Sequence, residues 1–232
     1  EASSQHGFID NLATGRREDG RERRNLKLAL RWTPGAGTDA TLRYTRQEFH
    51  DGAALWGSPG APRATVQSGT PSWNRSFGDG LSLDMAHDFA SGLKLRSITA
   101  YHSVRDRIQQ DTDFQPADML HIARDHHLRT LSQELRLEGR AGAAQWLAGL
   151  YADRDDHDLF NEQKLPMGVT RLPAATKGHS AALFTHWTLP LAPGWTAEAG
   201  ARLERSTVRF ASSSGSEQSQ AHTHALPKLA LR

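Results

Sequence analysis

Histidine gives this sequence its most direct potential for chemistry, because the chain of 232 residues contains 12 of them. Two pairs are close in sequence: His126 and His127 are adjacent, and His222 and His224 are separated by one residue. Neutral imidazole is a common transition-metal ligand, so each pair is a candidate for contact with a metal or haem. Neither pair has the spaced ligands of a closed metal site. We therefore expect solvated loop residues at both places and no bound metal.

Acidic residues are concentrated in residues 153–158 (DRDDHD) and at Asp111 and Asp113. Carboxylates are usual Ca²⁺ ligands, but neither segment has the glycine turn and closing glutamate of a calcium loop. A charged rim is the simpler interpretation. Other charged residues alternate with apolar ones and indicate a polar lining, not catalytic carboxylates: Glu134, Arg136, Glu138, Glu198, Arg202 and Glu204. The sequence shows no nucleophile–base pair and no phosphate-binding loop, so we expect no catalytic residues and no enzyme.

Length and composition narrow the class of protein. The chain is long enough to bury a core as one domain. It has no cysteine, which excludes a disulfide scaffold, and its net charge of +2 gives no argument for nucleic-acid binding. No apolar run approaches the roughly 18 residues of a membrane-spanning helix. The mean hydropathy of −0.62 is low, but a membrane β-barrel needs apolar residues only at every second strand position.

Alternation of apolar and polar residues predicts about ten antiparallel β-strands. The clearest hairpin covers residues 131–151, where Leu131, Leu135 and Leu137 occupy odd positions and the charged residues occupy even ones. A spacing of two places these sets on opposite faces of a strand. The apolar set changes parity within residues 93–107, which predicts a β-bulge near Ser97.

The predicted connections alternate between short turns on one side of the sheet and long loops on the other. Short turns of about five residues join the two strands of each hairpin. The charged segment 12–24 also reads as a loop, and the predicted long loops cover residues 50–75, 108–127, 159–178 and 212–222. This arrangement is typical of a transmembrane β-barrel.

The aromatic residues follow the same division between the short-turn side and the long-loop side of the sheet. Four of the 6 tryptophans lie next to short turns, as in an interfacial aromatic girdle: Trp32, Trp146, Trp187 and Trp195. An opposite girdle is predicted from residues near the long-loop ends: Tyr44, Phe49, Phe160 and Phe210. The apolar side chains should face outward, including Leu28, Leu83, Leu137 and Ala199. Charged side chains should face inward, including Lys27, Glu134 and Arg202.

Short phrases along the chain carry a resemblance to a known family. They are GFIDN at 7–11, LALRWTP at 28–34, LRSITAY at 95–101, LSQELRLEG at 131–139, WLAGLY at 146–151, AGARLE at 199–204 and LPKLALR at 226–232. In this order and spacing they resemble the barrel of TonB-dependent outer-membrane receptors, over nearly the whole chain. Such receptors close about 22 strands around a plug. The resemblance therefore implies that residues 1–232 are an incomplete part of that barrel, with the plug domain and the remaining strands absent.

The resemblance also implies a function and partners. The chain would belong to an outer-membrane receptor of a Gram-negative bacterium that takes up a ferric siderophore or similar iron chelate. Its partners would be the lipid bilayer, the chelate and the energy-coupling protein TonB, which would act through the absent plug. We expect no cofactor, since iron would travel within the cargo, and no nucleic acid.

Exposed aromatic rings and arginines suit an anionic chelate. The candidate contacts are Trp56, Trp73, Arg63, Arg75 and Arg124. Packing of these residues within the loop remains the alternative.

Two other architectures remain open. One is a complete ten-strand barrel that acts as a passive pore or adhesin, which requires hydrogen bonds between its first and last strands. The other is a soluble β-sandwich binding module, which requires two apolar sheet faces packed together.

Overall fold

β-Strands make up most of the chain in the computed structural model, which describes residues 1–52, 60 and 62–232. No helix in this described part is long and apolar enough to cross a membrane. The strands are β1 (Ala2–Gln5), β2 (Asp10–Asn11), β3 (Arg16–Arg17), β4 (Arg21–Gly35), β5 (Thr38–Gly52), β6 (Thr65–Val66), β7 (Trp73–Asp88), β8 (Lys94–Asp111), β9 (His121–Ala141), β10 (Ala144–Leu165), β11 (Gly168–Ala192), β12 (Trp195–Ser212) and β13 (Glu217–Leu231).

Ten of these strands form one antiparallel sheet, which confirms the predicted number and direction. Its order is β1-β4-β5-β7-β8-β9-β10-β11-β12-β13, so nearly every strand pairs with its neighbours in sequence. The small strands β3, β2 and β6 form a second sheet. Because β1 and β13 are the two edges and do not pair with each other, this sheet is not a closed ten-strand barrel.

The register separates the side chains into two faces, because directly opposed residues of an antiparallel pair lie on the same face. One row runs through Leu28, Tyr44, Leu81, Tyr101 and Leu131. We call the face that carries this row the outer face and the opposite one the inner face. The predicted assignment is confirmed at all seven positions named above: the four apolar residues lie on the outer face and the three charged residues on the inner face.

Exposure identifies the outer face as the convex one. Leu30 is 66% exposed and Leu183 is 58% exposed, whereas the side chain of the inner-face residue Glu198 is 11% exposed. Side chains converge and shield one another on the concave side of a curved sheet, so the charges line the concave wall. In the described residues no second layer covers the apolar face, and the buried apolar residues are only Ala40, Val66 and Ala182. The β-sandwich alternative is therefore wrong.

The outer face is predominantly apolar over a band of limited height, which we call the apolar belt; among its polar members, Ser97, Thr99 and Gln133 hydrogen-bond to one another. It consists of the outer-face positions within residues 26–32, 81–85, 95–101, 131–137, 146–152, 181–189 and 195–203. The longest of these segments, on β11 and β12, contain nine residues, which rise roughly 30 Å along a strand and about 23 Å along the membrane normal at a tilt of roughly 40°. This height matches the apolar band of about 25 Å on a transmembrane barrel.

The strands continue well beyond the belt, so several predicted loops are wrong. β9, β10 and β11 contain 21, 22 and 25 residues, and most of the predicted loop segments 108–127, 159–178 and 212–222 lie within strands. Their true connections are residues 112–120, 166–167 and 213–216. At the other two loops, β4 already begins at Arg21 and β7 at Trp73. These strand ends lie outside the belt, where neither face needs to be apolar, so the alternation that reveals a strand disappears.

The β-bulge predicted near Ser97 is also wrong. β8 keeps a continuous register with both of its neighbours, and Ile98 and Ala100 simply lie on the inner face. The register shifts instead between Trp32 and Gly35 and between Pro190 and Ala192, next to short turns.

The aromatic girdle is confirmed at the short-turn end only. The four predicted tryptophans all lie on the outer face there, and the rings of Trp146 and Trp187 stack with centroids 6.1 Å apart. In the opposite group, Tyr44 and Phe160 lie on the outer face. Phe49 and Phe210 lie on the inner face, so these two were wrongly assigned to a lipid-facing girdle.

Candidate functional site: the inner wall

Paired charges line the inner face at the height of the apolar belt. The Arg96 guanidinium donates two hydrogen bonds to the Asp84 carboxylate, from Nε at 2.9 Å and from a terminal nitrogen at 2.6 Å. On β9, Arg136 donates to Glu134, two residues earlier on the same strand. Two parallel charge-assisted bonds fix the positions of both groups. The predicted lumen lining is therefore a network of ion pairs held on adjacent strands.

An aromatic and cationic cluster continues this wall on β10–β12. The Arg202 guanidinium lies 5.2 Å from the Tyr151 ring centroid and 5.8 Å from that of Phe184, and it donates to Glu204 at 2.7 Å. The Phe184 ring covers Gly149, where an added Cβ would come within 2.3 Å of the ring. Glycine is thus required for the close packing of β10 and β11.

A third cluster lies near the short turns, around the Glu198 carboxylate. Lys228 Nζ lies 3.0 Å from it, Arg232 Nε 3.3 Å and His186 Nε2 3.9 Å. A cavity of about 390 Å³ adjoins this cluster. It is lined mainly by polar groups, including Asp88, Lys94, Glu138, Arg140 and His186. The inner wall therefore presents charge of both signs at this end.

Beyond the belt, the inner wall carries a different set of groups. Arg124 faces Asp106 across β8 and β9, with a guanidinium nitrogen 4.0 Å from the carboxylate. The rings of His126 and His157 lie edge to face, with centroids 6.0 Å apart. Thr130 donates a 2.6 Å hydrogen bond to Asp155 on the neighbouring strand. A half-exposed guanidinium and two imidazoles suit an anionic or hydrogen-bonding ligand that enters from this end.

The structure distributes the predicted contact residues over different surfaces. Trp73 and Arg75 lie on the outer face of β7, with the Arg75 guanidinium 4.9 Å from the Trp73 ring centroid. Arg63 is exposed in a turn. Arg124 alone of the described candidates lies on the inner wall. Trp56 lies outside the described residues.

The two predicted histidine pairs behave differently. His126 and His127 are adjacent on β9 and therefore lie on opposite faces; His127 Nε2 is within hydrogen-bond distance of Ser103 Oγ on the outer face, at 3.1 Å. His222 and His224 share the inner face of β13, and their rings stack at 6.0 Å. Within residues 1–52, 60 and 62–232, no group of three or more histidine or acidic side chains is arranged to hold a metal ion.

The acidic segment on β10 is divided between the two faces by the same alternation. Asp153 and Asp155 lie on the inner face and accept hydrogen bonds from hydroxyl groups. Asp156 and Asp158 lie on the outer face and pair with Arg154 and Arg129. Hydrogen-bond and ion-pair partners from the protein thus surround these carboxylates.

A buried polar hub that the sequence did not reveal joins the segments beyond the sheet. Asn11 is 1% exposed; its amide donates to Glu18 and to the Ser68 carbonyl, and its side-chain oxygen accepts from the backbone of Ala13 and Ser68. Asp111 is 2% exposed and accepts hydrogen bonds from Ser68 Oγ and from three backbone N–H groups. These contacts fix the segment that follows β6 against the end of β8.

Acidic residues also hold the connection between β8 and β9. Asp113 accepts hydrogen bonds from the backbone of Gln115, Met119 and Leu120, so it closes a loop and does not act as a free ligand. Asp118 binds Lys164 Nζ at 2.6 Å and His121 Nδ1 at 2.7 Å. These partners, Lys164 first, lower the pKa of the Asp118 carboxyl below its ordinary value.

Comparison with known proteins relates this architecture to a described family. Residues 7–232 match the sequence profile of the family described as TonB dependent receptor-like, beta-barrel. Comparison with curated protein sequences finds no match.

Among solved structures, the chain is similar to the ferric yersiniabactin uptake receptor FyuA from Yersinia pestis, with 16% identity and a TM-score of 0.74; the match covers 100% of this chain and 37% of that one. For the ferric citrate transporter FecA the identity is 12%, the TM-score is 0.75 and the match covers 99% and 35% of the two chains. For BauA, the ferric preacinetobactin receptor from Acinetobacter baumannii, the identity is 14% and the TM-score is 0.71. The match covers 98% of this chain and 39% of that one. The chain therefore spans little more than a third of the length of these proteins, and the similarity establishes the fold.

Proposed function

This chain belongs to the TonB-dependent receptor β-barrel family, and we propose that it forms part of a receptor that takes up a ferric siderophore or similar iron chelate. Barrels of this family lie in the outer membrane of Gram-negative bacteria. The separation of an apolar belt from a charged inner wall, maintained over the sheet's main strands, is the observation that carries the proposal. Such a wall can pass a polar cargo through a bilayer.

The names of the similar structures support an iron chelate as cargo. Three of them are a ferric yersiniabactin receptor, a ferric citrate transporter and a ferric preacinetobactin receptor. The copper transporter OprC is also similar, with 16% identity and a TM-score of 0.69, and copper is therefore the alternative cargo to test. The Arg124 guanidinium is the described candidate best placed to contact an anionic chelate, since it is half-exposed on the inner wall beyond the belt.

Coupling to TonB is the second part of the proposal. In the family, transport depends on a plug inside the barrel, and we propose that TonB acts on such a plug here. The Glu198 cluster and the adjoining polar cavity offer charges of both signs at the short-turn end, which suits contact with a polar domain in the lumen.

Uptake by cells tests this function. The gene would be deleted and restored, and accumulation of radioactive iron measured with ferric citrate and with ferric siderophores. We expect uptake of one class of chelate to require both this protein and TonB. Arg124→Gln should weaken the apparent affinity for an anionic chelate roughly tenfold, whereas Arg24→Gln on the outer face of β4 should not. Copper accumulation without iron-chelate accumulation, or iron uptake independent of TonB, would contradict the proposal.

A further inference from the structure

Beyond the apolar belt, the outer face of β10–β12 carries an unusual concentration of positive charge. We call these residues the outer basic patch: Arg154, Lys177, Arg205 and Arg209. The register places Lys177 directly opposite two residues, Asp156 on β10 and Arg209 on β12. The same three cross-strand rows contain one carboxylate, Asp156, which is bound to Arg154 at 3.0 Å. With His179 neutral, the patch has a net charge of +3.

The partners of these cations differ from those of several other outer-face arginines beyond the belt. Arg46 binds Glu48 at 2.8 Å, and Arg129 binds Asp158 at 2.6 Å. Arg75 and Arg107 also lie directly opposite each other without an ion pair, but each lies over an aromatic ring. In the part of the chain that the structure describes, Lys177, Arg205 and Arg209 form no ion pair, and all three are exposed. Like charges directly opposite each other destabilise a sheet, so an external anion would stabilise this patch.

The height of the patch identifies where that anion lies. Arg205 is two residues beyond Leu203, the last belt residue of β12, and Lys177 is four residues beyond Ala181 on β11. These separations are roughly 5 and 10 Å along the membrane normal after correction for strand tilt. The headgroup layer outside the hydrocarbon core has about this thickness.

We propose that the outer basic patch binds the phosphate groups of an anionic lipid whose acyl chains lie against the neighbouring leucines of the belt. Leu150, Leu183 and Leu203 form an exposed apolar row beside the patch, so one lipid can contact both surfaces. A basic residue near an anionic membrane surface contributes to such binding, and contributions from several residues accumulate. The proposal rests on the position of the belt in the bilayer and is independent of the cargo.

Native mass spectrometry of the protein in bilayer nanodiscs tests the proposal. The nanodiscs would contain phosphatidylcholine with either phosphatidylglycerol or lipid A, and the retained anionic lipids would be counted. The test variant is Lys177→Gln/Arg205→Gln/Arg209→Gln. The control variant removes the same charge from exposed arginines that lie off the patch and form no ion pair in the described residues: Arg16→Gln/Arg21→Gln/Arg140→Gln.

We expect the test variant to bind anionic lipid on the order of a hundredfold more weakly, and the control variant to bind as the unmodified protein does. The single variant Arg205→Gln should give a smaller loss and serves if the triple variant does not fold. Equal retention by the test variant and the unmodified protein would overturn the proposal. An equal loss in both triple variants would show an effect of net charge alone. If inorganic phosphate saturates the outer basic patch in nanodiscs of pure phosphatidylcholine, the patch binds a free anion and the lipid proposal is overturned.

Discussion

Replacing Leu150 by arginine is expected to destabilise the protein in a bilayer by about 2–4 kcal/mol, because the side chain lies in the middle of the apolar belt. Leu150 is 56% exposed on the outer face and is flanked by Leu135 and Leu183. It lies four residues from Trp146 along β10, or roughly 10 Å along the membrane normal. That distance is close to half the height of the belt, where a charge is most costly.

Leu147 provides a matched control on the same strand. It lies on the inner face, opposite Glu138 and His186, and lines the polar cavity near the short turns. An arginine there can extend into water and towards the Glu138 carboxylate. We expect Leu147→Arg to change the free energy of unfolding by less than about 1 kcal/mol.

Chemical denaturation in phospholipid vesicles, followed by tryptophan fluorescence, measures this difference. A loss of 2–4 kcal/mol corresponds to a roughly 30- to 1,000-fold change in the unfolding equilibrium constant. Equal effects of Leu150→Arg and Leu147→Arg would refute the assignment of the two faces. A greater loss of stability for Leu147→Arg than for Leu150→Arg would show that the apolar belt was assigned to the wrong face of the sheet.

Three further predictions concern packing and the segments outside the bilayer. Gly149→Ala should destabilise the sheet by about 1–3 kcal/mol in the same denaturation assay, because its Cβ would overlap the Phe184 ring; Gly35→Ala, where an added Cβ meets open space, provides a comparison. Asn11→Ala should accelerate proteolysis within residues 62–72, since it removes the buried amide that holds this segment; cleavage at an unchanged rate would argue against the hub. Asp118→Asn should speed hydrogen exchange in residues 112–120 at neutral pH. Because the folded pKa of Asp118 is below its ordinary value of 3.8, its stabilisation is complete well above that value and is lost as pH falls below it. The variant and the unmodified protein should therefore converge in strong acid, and a difference that persists there would contradict the role of the charge.

The two faces of the sheet could be predicted from the sequence because the bilayer imposes a strict rule on one of them. Leu131, Leu135 and Leu137 must all face lipid, and this fixes the inward direction of the charged residues between them. Outside the belt that rule does not apply. Residues 159–178 have mixed side chains on both faces and include Pro173 and Gly178. The sequence pattern therefore predicted a loop where the β10–β11 hairpin in fact continues.

The candidate site was only partly predictable for the same reason. The parity that places Glu134 on the inner face, continued along β9, also places Arg124 there and separates His126 from His127. Assigning a loop to this segment concealed that inference. The polar hub depends on contacts between positions 57 and 43 residues apart, such as Asn11 with Ser68, and no local pattern encodes them.

Accessibility of single cysteines along β9 tests the central structural claim most directly, because the chain has no cysteine of its own. Each position from Leu131 to Glu138 would be replaced in turn, spin-labelled and reconstituted in a bilayer. We expect labels at odd positions to be accessible to oxygen dissolved in lipid and labels at even positions to a water-soluble nickel chelate. Uniform accessibility along the strand, or the opposite parity, would contradict a lipid-facing apolar belt and a water-facing charged wall.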